Sequence, residues 1–352
     1  MPSSTFSSER TVPPIPWGRA AVVAVVLTTG FTAGWEAWWR HRGIRPSVNN
    51  TPALWAIQRR ALDHDPGRTL IIGSSRAAFD INLKTWAEAT GEPEPLQLAI
   101  PGSNPVPVLT DLAEDPAVTG LVIVGITPGL FFSPLEAPPA NQARQWVLAA
   151  RRASPFVRFR QRLAILRESH LAFLSEPDLS ARMFLRRLNV PDRPGTLAPP
   201  PPLPPISTIA ANRQEIMLPR LERDSALQRR VREHWRALGA MTRMPPLPDP
   251  VLGDLIHTTA LAVETIEQRG GRVVLVRFPS SGEFREAEAA NVPRRRSWDR
   301  LLEATGAPGI HFEDVPELRD LVCPDWSHLG AADARRFTRV LVRRLRELGV
   351  IS

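Results

Sequence analysis

Residues able to carry out nucleophilic acyl chemistry stand far apart in this 352-residue chain. Ser75 closes Gly73-Ser74-Ser75, directly after the apolar run Leu70-Ile71-Ile72, while Asp325 and His328 share Asp325-Trp326-Ser327-His328. A serine hydroxyl is a weak nucleophile at neutral pH until a base takes its proton. An imidazole suits that role because its pKa can lie near neutrality, and a carboxylate fixes its tautomer. The three-residue spacing brings Asp325 and His328 to one side of a turn. Ser75 is therefore the expected nucleophile, His328 the base and Asp325 the orienting group. The plainer reading makes Gly73-Ser74-Ser75 a turn after a strand. On that reading Asp325 or Ser327 caps the last helix and His328 lies on its surface.

The elements that must position these groups alternate between strand and helix. Strands are expected at Leu70–Ile72, Leu96–Ile100, Leu121–Val124, Val273–Val276 and, shortest, Ile310–Phe312. Helices are expected at Ala53–Leu62, from Val106 to Leu112, at Ile256–Gln268 and at Asp333–Leu348. This pattern implies an α/β fold, a parallel sheet with helices on both faces in a three-layer α/β/α arrangement. In such sheets ligands gather at the carboxyl ends of the strands. Ser75, Gly102, Thr127 and Pro279-Ser280-Ser281-Gly282 each follow a strand, and Asp325 and His328 enter just before the final helix.

Ala20 to Trp39 is almost wholly apolar, with Glu36 its one charge, and it just reaches the roughly 20 residues needed to cross a bilayer. Trp35, Trp38 and Trp39 form an interfacial belt at one end, and Arg19 and Arg40 bracket the segment. Residues 19–40 are read as an uncleaved transmembrane anchor. A cleaved signal peptide and a buried soluble helix are the competing readings. The Ser- and Pro-rich residues 1–18 are expected to be disordered.

Residues 132–250 interrupt the alternation. They are arginine-rich, helical in pattern and broken by the proline run between Ala198 and Pro205, which suits polyproline II. This insertion is a cap over the site or a surface decoration. It divides the α/β domain into residues 50–131 and 251–352. Net charge is +8, almost all of the cations are arginine, and Lys84 is the one lysine. The arginines are scattered over helical stretches without a basic arm, which argues against nucleic acid. Cys323 is the single cysteine, so no internal disulfide forms, and its place near Asp325 suits a small buried filler. Neither a metal-ligand spacing nor a phosphate loop is evident, and no cofactor is expected.

These blocks resemble the SGNH/GDSL hydrolase superfamily. The nearer likeness is to its membrane-anchored extracytoplasmic branch, which handles acyl groups on cell-envelope polymers, as D-alanyl-transfer and alginate-acetylation proteins do. Gly73-Ser74-Ser75 matches the first block, Gly102 the glycine of the second, and Asp325 and His328 the last. The likeness covers roughly residues 68–130 and 270–345. It implies a periplasmic domain on a single-pass anchor and an acylated glycan or small acyl ester as substrate. It also implies an O-acyl esterase or acyltransferase with an oxyanion N–H from Gly102, and an envelope acyltransferase as a possible partner. One block departs: where the superfamily has Gly-x-Asn-Asp, this chain reads Gly125-Ile126-Thr127-Pro128. Thr127 then offers a hydroxyl in place of the asparagine amide, and Asn104 is a candidate stand-in if it is not solvent-exposed. The departure keeps open an inactive relative that docks partners or binds glycan. Arg277, at the end of the fourth sheet strand, is a candidate for an anionic glycan or for a surface ion pair.

Overall fold

The computed structural model describes residues 16–175, 203–241 and 246–352. Five strands, β1 (Leu70–Ile72), β2 (Leu96–Gln97), β3 (Leu121–Ile126), β6 (Arg272–Arg277) and β7 (Gly309–His311), form one sheet in the order β2-β1-β3-β6-β7. Every neighbouring pair is parallel. A separate antiparallel hairpin, β4 (Ser207–Ile209) and β5 (Glu215–Met217), lies in the segment between β3 and β6.

The helices used below are α1 (Trp17–His41), α2 (Pro52–Ala61), α3 (Ser75–Asp80), α4 (Leu83–Thr90), α5 (Val106–Glu114) and α6 (Pro138–Arg151). They continue with α7 (Pro155–Glu168), α8 (Ser225–Met241), α9 (Asp249–Gln268), α10 (Gly282–Asn291), α11 (Trp298–Thr305) and α12 (Ala331–Glu347).

β3 and the Val273–Val276 centre of β6 carry no polar side chain because they are buried on both faces. Side-chain alternation sends Leu70, Ile72, Val122, Val124, Val273 and Leu275 into one apolar cluster, with Trp55 of α2, Leu109 of α5 and Val263 of α9. Ile71, Ile123, Val274 and Val276 point into a second cluster, with Ala77 of α3, Trp86 of α4 and Phe337 of α12. Burying such side chains contributes about 1.5–3 kcal/mol each. The Trp55 indole N–H donates to Leu98 O at 2.8 Å, which satisfies its one polar group.

Several bounds differ from the expected ones. α9 begins seven residues earlier, at Asp249, because Pro250 fits the first turn of a helix. The regular ladder of β2 ends at Gln97, although Leu98 and Ile100 still donate to Ile71 O and Gly73 O. The hairpin β4–β5 was not expected at all. Its turn is held from outside: the Arg213 guanidinium donates to Gln97 O and Ala99 O, at 2.6 and 2.7 Å, on the free edge of β2. That contact covers a sheet edge that would otherwise present unpaired carbonyls. The N-terminal segment before Pro16 and most of the proline run at 198–205 lie outside the described residues.

α1 is long and apolar enough to cross a membrane, and none of its residues is buried. It starts at Trp17, so Trp17 and Gly18 are helical rather than part of the expected disordered stretch. Trp35, Trp38 and Trp39 pack on one another near its end, with ring centroids 5.1 and 4.6 Å apart along the series Trp35, Trp38, Trp39.

Two glycines set how closely α3 approaches the sheet. Gly73, with φ +148°, links β1 to α3, and a Cβ there would lie 2.8 Å from Ala77 Cβ. A Cβ on Gly125 of β3 would lie 2.8 Å from the Phe278 ring and 2.9 Å from Ala77 Cβ. Gly125→Ala is therefore expected to lower stability by about 1–3 kcal/mol through overpacking. Urea unfolding measures this, and an unchanged midpoint would contradict the contact.

Candidate active site

The turn after β1 delivers Ser75 as the first residue of α3, with Ser74 in extended conformation before it. A residue at that position leaves its own N–H without an intrahelical acceptor. The loop between the short helix Pro316–Arg319 and α12 carries Asp325 and His328 to the same end of the sheet. The Ser75 hydroxyl meets His328 Nε2 at 2.8 Å, and His328 Nδ1 meets Asp325 Oδ2 at 2.7 Å. With Nδ1–H donating to the carboxylate, Nε2 is the acceptor for the serine proton. The structure thus brings together three side chains separated by up to 253 positions.

Asp325 is fully buried and accepts three hydrogen bonds. Its Oδ1 takes the N–H groups of Ser327 and His328 at 3.0 and 2.8 Å, and its Oδ2 takes the imidazole. Burial raises a carboxyl pKa, but His328 and these donors outweigh it and hold Asp325 below its ordinary value. Burial likewise opposes charge on His328, yet Asp325 overcomes it and the imidazole lies above its ordinary value. The ring is further fixed by Phe79, stacked at 4.2 Å between centroids.

The other expected residues fall in different places. Gly102 adopts φ +72°, a conformation suited to glycine, and its N–H meets no acceptor among the described residues. Thr127 follows β3, and its hydroxyl lies 2.6 Å from that of Ser74. Whichever of the two accepts keeps its own proton free to donate elsewhere. Asn104 is fully buried and is used up structurally. Its Nδ2 donates to Phe131 O at 2.8 Å, and its Oδ1 accepts from Val106 N at 2.9 Å, bracing the start of α5. It is neither exposed nor turned to the serine as an oxyanion donor. Arg277 is also buried, and its guanidinium is committed to Glu288 and Ser280. That leaves it neither a surface ion pair nor an open face for a glycan. Cys323 is buried, its thiol facing Pro279 O at 3.7 Å.

Sequence reasoning missed the charged support beneath the site. Arg76, next to the serine, donates to Glu288 at 2.6 Å and to Ser327 Oγ at 3.3 Å. Glu288 also receives Arg277 and Ser280. Burial alone would raise the Glu288 carboxyl, but Arg277 and Arg76 hold it down at about 2. Asp80, at the end of α3, accepts Leu329 N–H at 2.9 Å, and burial pushes its carboxyl up to about 7. Arg76 and Asp80 lie one and five residues after Ser75, and that proximity to the candidate nucleophile was the available signal. Glu288 carried none.

The segment expected as an insertion reaches the site too. Trp235 of α8 lies 6.4 Å from the His328 ring, and Arg232 donates to Pro324 O at 2.6 Å. Met217, Leu221 and Val231 pack with Phe79 in an apolar cluster of their own.

Removing the charge that pairs two buried guanidiniums is costly. Glu288→Gln is expected to destabilise the fold by about 3–5 kcal/mol in urea unfolding at neutral pH. The Glu288 carboxyl lies lower when folded, so its stabilisation is complete above its ordinary 4.5 and lost as pH falls toward about 2. A variant as stable as the parent, with the same acid profile, would contradict the network.

Compared with known proteins, the chain finds no matching family model and no matching curated protein.

Proposed function

We propose that this protein is a serine-dependent O-acyl esterase or acyltransferase of SGNH type, acting on cell-envelope polysaccharide. One observation carries the reading: the unbroken relay Ser75 Oγ, His328 Nε2, His328 Nδ1, Asp325 Oδ2, with contacts of 2.8 and 2.7 Å. The two apolar clusters on opposite faces of the sheet support the three-layer α/β/α arrangement of that superfamily. The apolar helix α1 supports a single-pass anchor, and an extracytoplasmic site goes with the resemblance.

The chemistry follows from the relay. Ser75 Oγ attacks the acyl carbonyl carbon as its proton passes to His328 Nε2. The ester C–O bond then breaks, and the leaving alcohol takes that proton. Water or a sugar hydroxyl next attacks the acyl-serine and yields its proton to His328, which returns it to Ser75 Oγ as the acyl group departs. Developing negative charge on the carbonyl oxygen needs preorganised donors. The free N–H groups at Ser75 and Gly102 are two of them, and the spare proton of the Ser74–Thr127 hydroxyl pair is a third that stands in for the asparagine amide.

A fluorophosphonate probe and p-nitrophenyl acetate test the reading on the full chain in detergent. Labelling and turnover are expected in the wild type and lost in Ser75→Ala. Equal background in both would favour the inactive, partner-docking relative that the Thr127 substitution keeps in view.

The pH profile is a separate check. His328 must be neutral to accept the serine proton, and Asp325 holds its pKa above the ordinary 6.5. The rate is therefore expected to fall with decreasing pH through a midpoint above 6.5. Asp325→Asn withdraws the charge that favours imidazolium, so the midpoint moves to lower pH while turnover drops roughly 10⁴-fold from loss of the tautomer. A midpoint that stays in place in this variant would separate Asp325 from the histidine.

A further inference from the structure

Helix α7 is built inside out for a soluble protein. Phe156, Phe159, Leu163 and Leu166 are 68%, 59%, 45% and 60% exposed, although they are four of its five largest apolar side chains. At about 100° per residue, these four fall within an arc of about 80°. The opposite face, turned to the protein, holds Gln161, Ala164, Ile165 and Glu168. It is fixed by polar contacts: Thr51 Oγ1 donates to Gln161 Oε1 at 3.2 Å, and Asn49 N–H donates to Glu168 Oε2 at 2.8 Å. A helix packed on a core puts its apolar stripe inward. Here that stripe faces out.

Charge and position say what covers it. Arg162 lies on one side of the stripe, and Arg160 and Arg167 on the other, and none has an acidic partner among the described residues. An apolar strip flanked by arginines is the pattern of a helix lying in the plane of a membrane interface. The chain just after α7 is bolted to the end of α1. Glu36 accepts the N–H groups of Ala172 and Phe173 at 2.9 and 3.2 Å, and Arg40 donates to His170 O at 2.8 Å. This is the tryptophan-bearing end of the apolar helix, where the bilayer surface lies if α1 spans it.

We propose that α7 is a second membrane contact. It lies flat on the bilayer beside the exit of α1, with Phe156, Phe159, Leu163 and Leu166 among the upper acyl chains and Arg160, Arg162 and Arg167 on anionic headgroups. The proposal rests on reading α1 as a span and is independent of the catalytic assignment. Its consequence is orientation: two contacts fix the domain on the surface, whereas one anchor leaves it free to turn.

Site-directed fluorescence on the full chain in nanodiscs holding one copy each tests this. Cys323→Ala removes the native thiol. Single cysteines are then introduced by Phe159→Cys, Leu166→Cys, Val25→Cys in mid-α1 and Glu233→Cys on the exposed side of α8, each checked for folding by circular dichroism and labelled with NBD. In discs containing phosphatidylglycerol, labels at 159 and 166 are expected to shift to the blue and to be quenched by doxyl lipids, as at 25, while the label at 233 stays open to iodide. Arg160→Gln, Arg162→Gln and Arg167→Gln are expected to lower the ratio of lipid-facing to water-facing label at 166, by about fivefold per arginine. Labels at 159 and 166 open to iodide overturn the proposal whatever the label at 25 reports. Protection at 159 and 166 without lipid quenching, found only when two copies share a disc, also overturns it and assigns the face to a second copy. A label at 25 that stays in water separately ends the reading of α1 as a span.

Discussion

The site depends on one carboxylate kept out of water. Asp325 has no exposed surface, and a bare buried charge would not survive there. It is held ionised because the loop folds back so that two of its own N–H groups reach Oδ1, which leaves Oδ2 for the imidazole. The loop reaches this shape at a cost, since Trp326 takes φ +74°, a conformation a bulky side chain rarely adopts. Such strain persists where the surroundings over-determine the backbone. Here they do: Ser281 N–H is donated to Trp326 O at 3.0 Å, and the glycine at 282 leaves room for the indole.

The same loop is gripped from several elements. Leu329 N–H is taken by Asp80 of α3, Ser327 Oγ by Arg76, Cys323 N–H by Ser281 Oγ and Pro324 O by Arg232 of α8. Thr338 of α12 accepts Asn82 N–H and donates to Ala334 O, tying the final helix to the turn after α3. Positioning a reacting pair beforehand removes the entropic cost of bringing it together later. The hydrogen bonds that hold the loop against α3 therefore fix the distance from Ser75 to His328 as directly as the two residues themselves.

The parts legible in sequence were those set by local pattern. The apolar runs at 70–72, 121–124 and 273–276 read as buried parallel strands because both faces are covered, and Ser75 stood out by type after the first of them, with Asp325 and His328 just before the final helix. What was not legible depends on contacts between distant segments. Nothing in the three-residue strands Ser207–Ile209 and Glu215–Met217 announces a hairpin, because its register comes from Arg213 and Gln214 gripping β2 and α3. Asn104 and Arg277 looked available because a sequence does not show what has already taken a side chain's hydrogen bonds. Glu288 stayed invisible for the converse reason: a glutamate on a polar helix looks like solvent-facing charge until two arginines of other elements are found on it.

Two acids near one histidine end up with opposite habits, and their donors decide which does what. Asp325 accepts three hydrogen bonds and stays ionised. Asp80 accepts one, from Leu329, its Oδ2 has no partner among the described residues, and burial pushes its carboxyl up to about 7. Environments that drive two carboxyls apart assign them different work. The ionised one orients the imidazole, and the other, raised by burial, titrates near neutrality beneath the loop. The division has a consequence for the base. Asp80 and His328 act on each other through space, each favouring charge on the other. As Asp80 ionises near neutrality it adds to the hold on the histidine proton that Asp325 already exerts.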